Sequence, residues 1–493
     1  MAFLLFPHQL YSELSHLKDD SIKQIYIIEE PRYFTDFRFH KLKLAYHRAS
    51  MKKYYDMLIK KKFKVKYIDF SNVSNLFYQS IKTDFDQVSV VYPGDLNLEK
   101  KLEKIFGKKL VILSNKNMLI GPEELITIKK LIYKNNKYSH DEFYKYQRKK
   151  LEILIDSKEK PVGGKWSYDA ENRLPLPKSH QVQPIKSQIK SNKYVKEAIT
   201  YVNKHFIKNY GSLDNFIYPI DAKGAHKWLD EFLKSRLSNF GAYEDAVSEQ
   251  DPFVYHSVLS PMMNIGLLTD TEVVTKSYQY YLENKKKISI QSFEGFIRQV
   301  IGWRNYVYTL YLLEGDKMKS SNHLKHHNKL NDKFWEAKTN IKPIDSIINK
   351  IVNYAYAHHI ERLMYLGNFM LLCFVDPDEV YRIFMEWAID AYDWVMVANV
   401  YGMSQYATPI MMTRPYFSSS NYINKMSTYK KSVNDGWSET WDALYYNFIN
   451  KHQDILRKNY AVAQQVKHWD NKSDSEQKEI ILKANKFIKS LLD

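Results

Sequence analysis

The hydrophobic period changes once along this chain, and that change limits the folds available to it. Up to about residue 135, short apolar runs recur at AFLLF (2–6), IKQIYIIEE (22–30), FKVKYIDF (63–70), QVSVVYPG (87–94) and LVILS (110–114). Each has the length of a buried strand. Helical stretches such as HKLKLAYHRASMKKYYDMLIKK (40–61) separate them. Strand–helix alternation predicts a parallel sheet covered by helices. From about residue 211 almost every segment carries a helical period, and Gly and Pro are sparse between 270 and 400. Asp376-Pro377-Asp378-Glu379 reads as a helix start, with Asp as N-cap and Pro in the first turn. The expected architecture is an α/β domain with a Rossmann-like parallel sheet over 1–135, an interdomain linker over 136–210 and an all-α domain over 211–493. Within the linker, FYKYQRKKLEILI (143–155) is predicted helical. PVGGKWSYDAENRLPLPKSHQVQPIKSQIKSNK (161–193) is expected to run over the surface. The α/β region has neither a GxGxxG nor a P-loop sequence, so no motif there supports nucleotide binding.

The 493 residues carry a net charge of +17. That charge suits a polyanionic partner or a solvated lysine-rich surface equally well. Aromatic content is 15%, with 39 Tyr and 9 Trp, enough to pack a core or to hold a planar ligand. Cys373 is the one cysteine, which excludes an internal disulfide and a thiolate metal cluster. No apolar run reaches the ~20 residues of a membrane span and no leader pattern opens the chain, so a soluble, cytoplasmic protein is expected.

Polar chemistry concentrates between Tyr354 and Gln405. His358 and His359 would point about 100° apart on a helix and cannot share a metal from one face; no HExxH pattern accompanies them, so no metal site is expected. The pair suits either a core histidine hydrogen-bonded to backbone or a histidine that faces a ligand as proton donor. A buried Arg362 needs a carboxylate, and Asp390 is the candidate. Asp393, one turn on, would share its face and accept hydrogen bonds from a ligand. Ser257 and Ser260 precede an apolar helix, where they serve as caps or as phosphate donors. In SFEGFIRQVIGWRNYVYTLY (292–311), Phe293, Ile297, Val300 and Ile301 form a core stripe. Glu294, Arg298, Gln299, Trp303 and Arg304 lie on or beside another face, which suits a ligand or plain solvent.

FIRQVIGWR, YAHHIERLM, the Ile389–Trp394 stretch and NVYGMSQ occur in the order found in the photolyase and cryptochrome superfamily. The chain resembles most its prokaryotic iron–sulfur (6-4) photolyase branch, the deoxyribodipyrimidine photolyase-related proteins. GGKWSYDAENR, NFGAYEDA (239–246), FHKLKLAYHRASM (39–51) and RPYFSSSNYINKMS (414–427) are similar to that branch as well. The resemblance spans essentially the whole chain. It implies an FAD-binding helical domain, UV-damaged DNA as partner and a monomer associated with the nucleoid. It also implies light-driven repair in which reduced FAD donates an electron to a flipped lesion. Ser257, Leu259, Ser260 and Asn264 would lie along the FAD phosphates and ribose. Ile297 and Arg298 would line the cofactor cavity, Arg362 and Asp390 would sit beside the isoalloxazine, and Asp393 and Asn399 would approach flavin or adenine. His359 matches the lesion histidine, with His358 beside it.

The chain also departs from that branch. The four cluster cysteines fall on Pro343, Lys430, Val433 and Glu439, so no [4Fe–4S] cluster is expected; apolar packing and a Lys430–Glu439 contact would hold the region instead. The tryptophan nearest the flavin in better-known classes falls on Met403, the Trp–Tyr pair of the nearest branch on Ile383 and Phe384, and a flavin-side glutamate on Met396. Trp335 matches an outer electron-transfer position, and Trp387, Trp394 and Tyr392 are the substitutes to test. A lumazine-type antenna is common in this branch, but the glutamate that contacts it falls on Tyr33, which leaves the antenna open. A cyclobutane-dimer photolyase and a cryptochrome-type photoreceptor remain the competing readings.

Overall fold

The computed structural model describes residues 1–177, 185, 192–431 and 436–492. All five apolar runs form strands: β1 (Ala2–Leu5), β2 (Gln24–Ile28), β3 (Val65–Ile68), β4 (Val88–Val91) and β5 (Leu110–Leu113). They build one parallel sheet in the order β3-β2-β1-β4-β5, with Ala2 paired to both Gln24 and Val88. The three central strands are buried on both faces, which is why they read as continuous rather than alternating apolar runs. The chain runs outward from β1 through β2 to β3, then returns to β4 on the other side. This creates a topological switch point between β1 and β4.

Helix α1 (Lys41–Lys60) starts where His40 caps it, the ring accepting from Leu42 N–H at 3.0 Å. Helices α2 (Asn75–Asp84), α3 (Leu96–Phe106) and α4 (Leu125–Ile132) complete the layer connections. The expected helix over 143–155 is instead α5 (His140–Lys150); Glu152 and Leu154 adopt left-handed φ of 53° and 52° and end it. The far end of the linker folds as α6 (Lys193–His205), which packs on α1. There Arg48 of α1 is clamped between Glu29 (2.7 Å), Asp69 (2.6 Å) and Glu197 (2.6 Å), with its guanidinium 3.4 Å from the centre of the Tyr201 ring. The phrase GGKWSYDAENR does not simply cross the surface. Tyr168 and Asn172 are buried: the Tyr168 N–H donates to Glu294 (3.0 Å) and the Asn172 amide donates to the Gln291 carbonyl (3.1 Å).

The remainder is helical, as expected, but three segments widen into π-helix: Arg298–Arg304, Glu361–Gly367 and Ala398–Ser404. The last two touch. A Cβ on Gly367 would lie 2.9 Å from Cβ of Ser404, and Gln405 donates to the Gly367 carbonyl at 3.0 Å. Glycine is required there because two backbones meet. Among the described residues no helix is long and apolar enough to cross a membrane.

Asp393 is one tie between the sheet-bearing part and the helical part. Its carboxylate takes Arg32 of the α/β domain at 3.1 Å and Lys319 at 2.6 Å, and it accepts hydrogen bonds from Tyr311 (2.8 Å) and Tyr381 (2.5 Å).

Candidate functional site

One cavity of about 1010 Å³ opens into the helical domain, at the upper end of the ~300–1,000 Å³ range of small-molecule sites. All three π-helical segments contribute to its wall. Arg298, Gln299 and Trp303 come from the first, Arg362 and Met364 from the second, Asn399 and Met403 from the third. π-Helical turns recur at functional sites because the extra residue per turn re-aims side chains out of the helical register.

Asp390 is the polar centre of the wall. Arg362 Nη2 lies 2.9 Å from Asp390 Oδ1, and Ser260 Oγ donates to Oδ2 at 2.6 Å. Asn264 donates to the Asp390 carbonyl at 2.7 Å and is itself held by Arg304. The Arg362 Nε–H donates to the Ala357 carbonyl at 2.6 Å, and the guanidinium packs over Tyr356. Ser260 and Asn264 therefore brace the loop that carries Asp390. From the other side Lys43 of α1 donates to the Ala391 carbonyl, and burial pushes its ammonium down to about 7. The charged face of the 292–311 segment is not solvated. Arg298 is buried among Glu244 (3.1 Å), Asp169 (3.1 Å) and Glu294 (3.3 Å). Burial raises the Glu244 carboxyl to about 8 against the pull of Arg298.

His359 is exposed to this cavity. The walls around its ring push the imidazole down to about 4 by desolvation, with the Arg362 cation adding to the effect. His358 turns the other way. It is fully buried, does not line the cavity, and stacks on His256 with ring centres 4.3 Å apart. His358 lies just before the helical segment that His359 opens, and the chain there turns the two rings apart.

Of the other expected site residues, Ser257, Leu259, Ser260, Asn264, Arg298, Arg362, Asp390, Asn399 and Trp394 line the cavity. Ile297 does not; it is wholly buried one position behind Arg298. Asp393 does not line the cavity either, because its lone pairs are engaged at the domain seam by Arg32, Lys319, Tyr311 and Tyr381. Tyr392 turns toward the α/β domain, where its hydroxyl meets His47 of α1 at 2.8 Å. Trp335 and Trp387 form an edge-on pair 5.2 Å apart off the cavity, and Phe384, one turn before Trp387, reaches its wall.

Met396 and Met403 line the cavity, and Ile383 is core. Residues given no role by sequence reasoning include Glu244 and Asp245 of NFGAYEDA, His256, and His140, which stacks on Trp303 at 3.8 Å. The NFGAYEDA block was the available signal for the first two.

Where the cluster cysteines of the resembled branch would align, Pro343 occupies the first turn of a helix. Lys430 donates to the Asn424 and Ser427 carbonyls, both at 3.2 Å. The expected Lys430–Glu439 contact is absent; Glu439 pairs with Lys483 at 2.7 Å. Val433 lies outside the described residues. Buried Trp437 and Trp441 pack the region, and Trp437 Nε1 donates to the Lys430 carbonyl. Cys373 is buried in apolar surroundings that push its thiol up.

Among the described residues, Arg304 Nη2, Glu244 Oε2 and His140 Nε2 are buried in the cavity wall with neither a hydrogen-bond nor an ion-pair partner. Orphaned groups of this kind are costly unless a ligand satisfies them.

Residues 3–218 match the family model described as deoxyribodipyrimidine photo-lyase-related protein. A (6-4) photolyase of Agrobacterium fabrum is 32% identical over 96% of this chain and 95% of its own length. The chain belongs to the deoxyribodipyrimidine photolyase-related family. A bacterial class III photolyase from Agrobacterium tumefaciens superposes with a TM-score of 0.59 at 16% identity, over 99% of this chain and 98% of that one. An archaeal photolyase from Sulfolobus tokodaii, described with two FAD molecules, gives 0.55 at 13% identity over 99% and 100%. Both share the fold of a parallel-sheet domain followed by a helical domain.

Proposed function

We propose that this photolyase-family chain repairs (6-4) photoproducts in DNA, with FAD held in the large cavity. The observation that carries the reading is that His359 and the Arg362–Asp390 pair open onto one cavity whose mouth bears exposed Arg414 and Lys425. The residues present fit the cofactor: the volume is sufficient, the unpartnered Arg304 Nη2 offers a donor to its phosphates, and the Arg362–Asp390 pair offers a polar edge to its ring. When bound in reduced form and excited by light, FAD supplies the electron that opens the lesion. The chain does the rest. Arg362 pairs with Asp390 at 2.9 Å and places positive charge beside the cofactor. Arg414 and Lys425 take backbone phosphates, consistent with the +17 net charge. Trp303 and Tyr416 give a base drawn out of the duplex an aromatic surface. His359 faces the space the lesion would enter and holds or gives the proton as the hydroxyl returns to its own base. In this reading the cell compartment is wherever the DNA lies.

The reading also includes the absence of an iron–sulfur cluster, supported by Pro343, Lys430 and Glu439 at aligned positions and by the packing of Trp437 and Trp441. Purified protein is expected to be yellow, to release FAD on denaturation and to hold no stoichiometric iron. Blue light should restore normal bases in an oligonucleotide carrying one (6-4) photoproduct once the flavin is reduced. No restoration with fully reduced flavin refutes the reading, and a cyclobutane-dimer substrate run alongside separates the two lesions.

Electron supply to oxidised flavin is assigned to Trp387 and the half-buried Trp335, an edge-on pair 5.2 Å apart. Trp335→Phe should slow photoreduction several-fold by stopped illumination and leave repair by chemically reduced protein unchanged. Equal photoreduction rates would point to Trp394, which lines the cavity directly.

A further inference from the structure

The proposed function leaves a second concavity unused. It lies at the switch point of the sheet, beyond the carboxyl ends of β1 and β4, where open parallel sheets hold their ligands. Both domains wall it, and its volume is about 20 Å³, against about 1010 Å³ for the cavity next to it. A single water needs ~10–15 Å³ of such space, and organic ligands occupy roughly 300 Å³ or more. The crevice has room for one water and none for a fused-ring pigment.

Rings of the protein fill it, and each is fixed. Tyr33 packs against His8 (5.0 Å between centres) and Tyr392 (5.8 Å). The Tyr392 hydroxyl is tied to His47 at 2.8 Å. The Tyr33 hydroxyl donates to Asp95 at 3.4 Å; Arg32 holds that carboxylate at 2.6 Å and runs on to Asp393 at 3.1 Å. Tyr308 meets Trp394 edge-on at 5.7 Å and accepts from the Asn115 amide at 3.1 Å. Even the main chain closes in: Gly94, at φ +62°, would place a Cβ 3.1 Å from the Tyr308 hydroxyl. Clearing the crevice requires several buried rings to move together and the Arg32–Asp95 pair to open, so the plug is part of the domain seam.

We infer that this chain works with a single chromophore: its own aromatic side chains close the switch-point crevice, and no second flavin or lumazine-type antenna binds there. The chain thus differs from the Sulfolobus photolyase described with two FAD molecules. The inference rests on the FAD reading only for the first chromophore, and Tyr33 is the ring at the centre of the plug.

The test incubates the purified full chain with excess FAD, or with 6,7-dimethyl-8-ribityllumazine, removes free pigment and measures equivalents after denaturation. One flavin per chain and substoichiometric lumazine are expected, with a repair action spectrum that follows reduced flavin alone. A second flavin equivalent, or stoichiometric lumazine, overturns the inference. The double variant His8→Ala/Tyr33→Ala removes two rings of the plug. Pigment gained by this variant and not by wild type supports closure by these rings; equal stoichiometric uptake by both overturns it. A chain that binds no flavin at all refutes the proposed function, and the lumazine arm still reads the crevice.

Discussion

Replacing His359 with alanine is expected to lower (6-4) repair by about 10²–10⁴-fold, the usual contribution of a positioned proton donor. FAD content and affinity for damaged DNA should hold. The ring touches neither side of the Arg362–Asp390 pair by any hydrogen bond described above, so its removal leaves the cofactor wall standing. Desolvation, with Arg362 adding to it, depresses its imidazole to about 4. In the free protein at pH 7 the ring is therefore neutral, and its protonated form grows only as pH falls through about 4. DNA brings negative charge toward the cavity and opposes the Arg362 effect, so the group should titrate higher in the complex. Wild-type repair at saturating DNA should fall as pH rises, with a midpoint above 4. His359→Gln, which keeps a hydrogen-bond donor but loses the titrating group, should be as inactive as alanine. Substantial single-turnover repair by either variant removes the assigned role.

Much of this site was readable in the residues because its chemistry is local. A buried Arg362 demands a carboxylate, and Asp390 supplies it at 2.9 Å. The two adjacent histidines do diverge, although His358 lies just before the helix that the expectation placed it on. The three central strands were visible because strands covered on both faces need unbroken apolar runs, and the two edge strands followed from the same strand–helix alternation. What stayed hidden depends on contacts distant in sequence or on backbone states that no residue pattern announces. The π-helical segments use ordinary helix formers, yet they set which side chains of 298–304, 361–367 and 398–404 reach the cavity. The linker looked solvated because it is rich in Gly, Pro and Lys. Its Asp169 nonetheless reaches the cavity wall and pairs with Arg298, 129 positions on by sequence number. Asp393 shared a face with Asp390 in the sequence, but Arg32 and Lys319, both far away along the chain, draw its carboxylate to the seam.

Asp393→Ala is accordingly expected to act on stability rather than on the cofactor. It strips a buried carboxylate from two cations and two tyrosine hydroxyls at the domain seam. Breaking one side of a buried pair typically costs about 3–5 kcal/mol; the low end is expected here, since Lys319 is partly exposed and can turn to water. Burial alone would raise this carboxyl, but Lys319 and Arg32 outweigh it and hold the group below the ordinary carboxylate range. The sign follows: the contribution is complete above the unfolded value, about 3.9, and is lost as pH falls through the lower folded value. The gap in Tm between wild type and Asp393→Asn should therefore stay constant from neutral pH down to about 5 and narrow below about 4. FAD content per folded chain should not change at neutral pH. Equal Tm values at neutral pH would show that the seam does not depend on this carboxylate. A specific loss of flavin from folded protein would return Asp393 to the cofactor, against the geometry that turns it to Arg32, Lys319, Tyr311 and Tyr381.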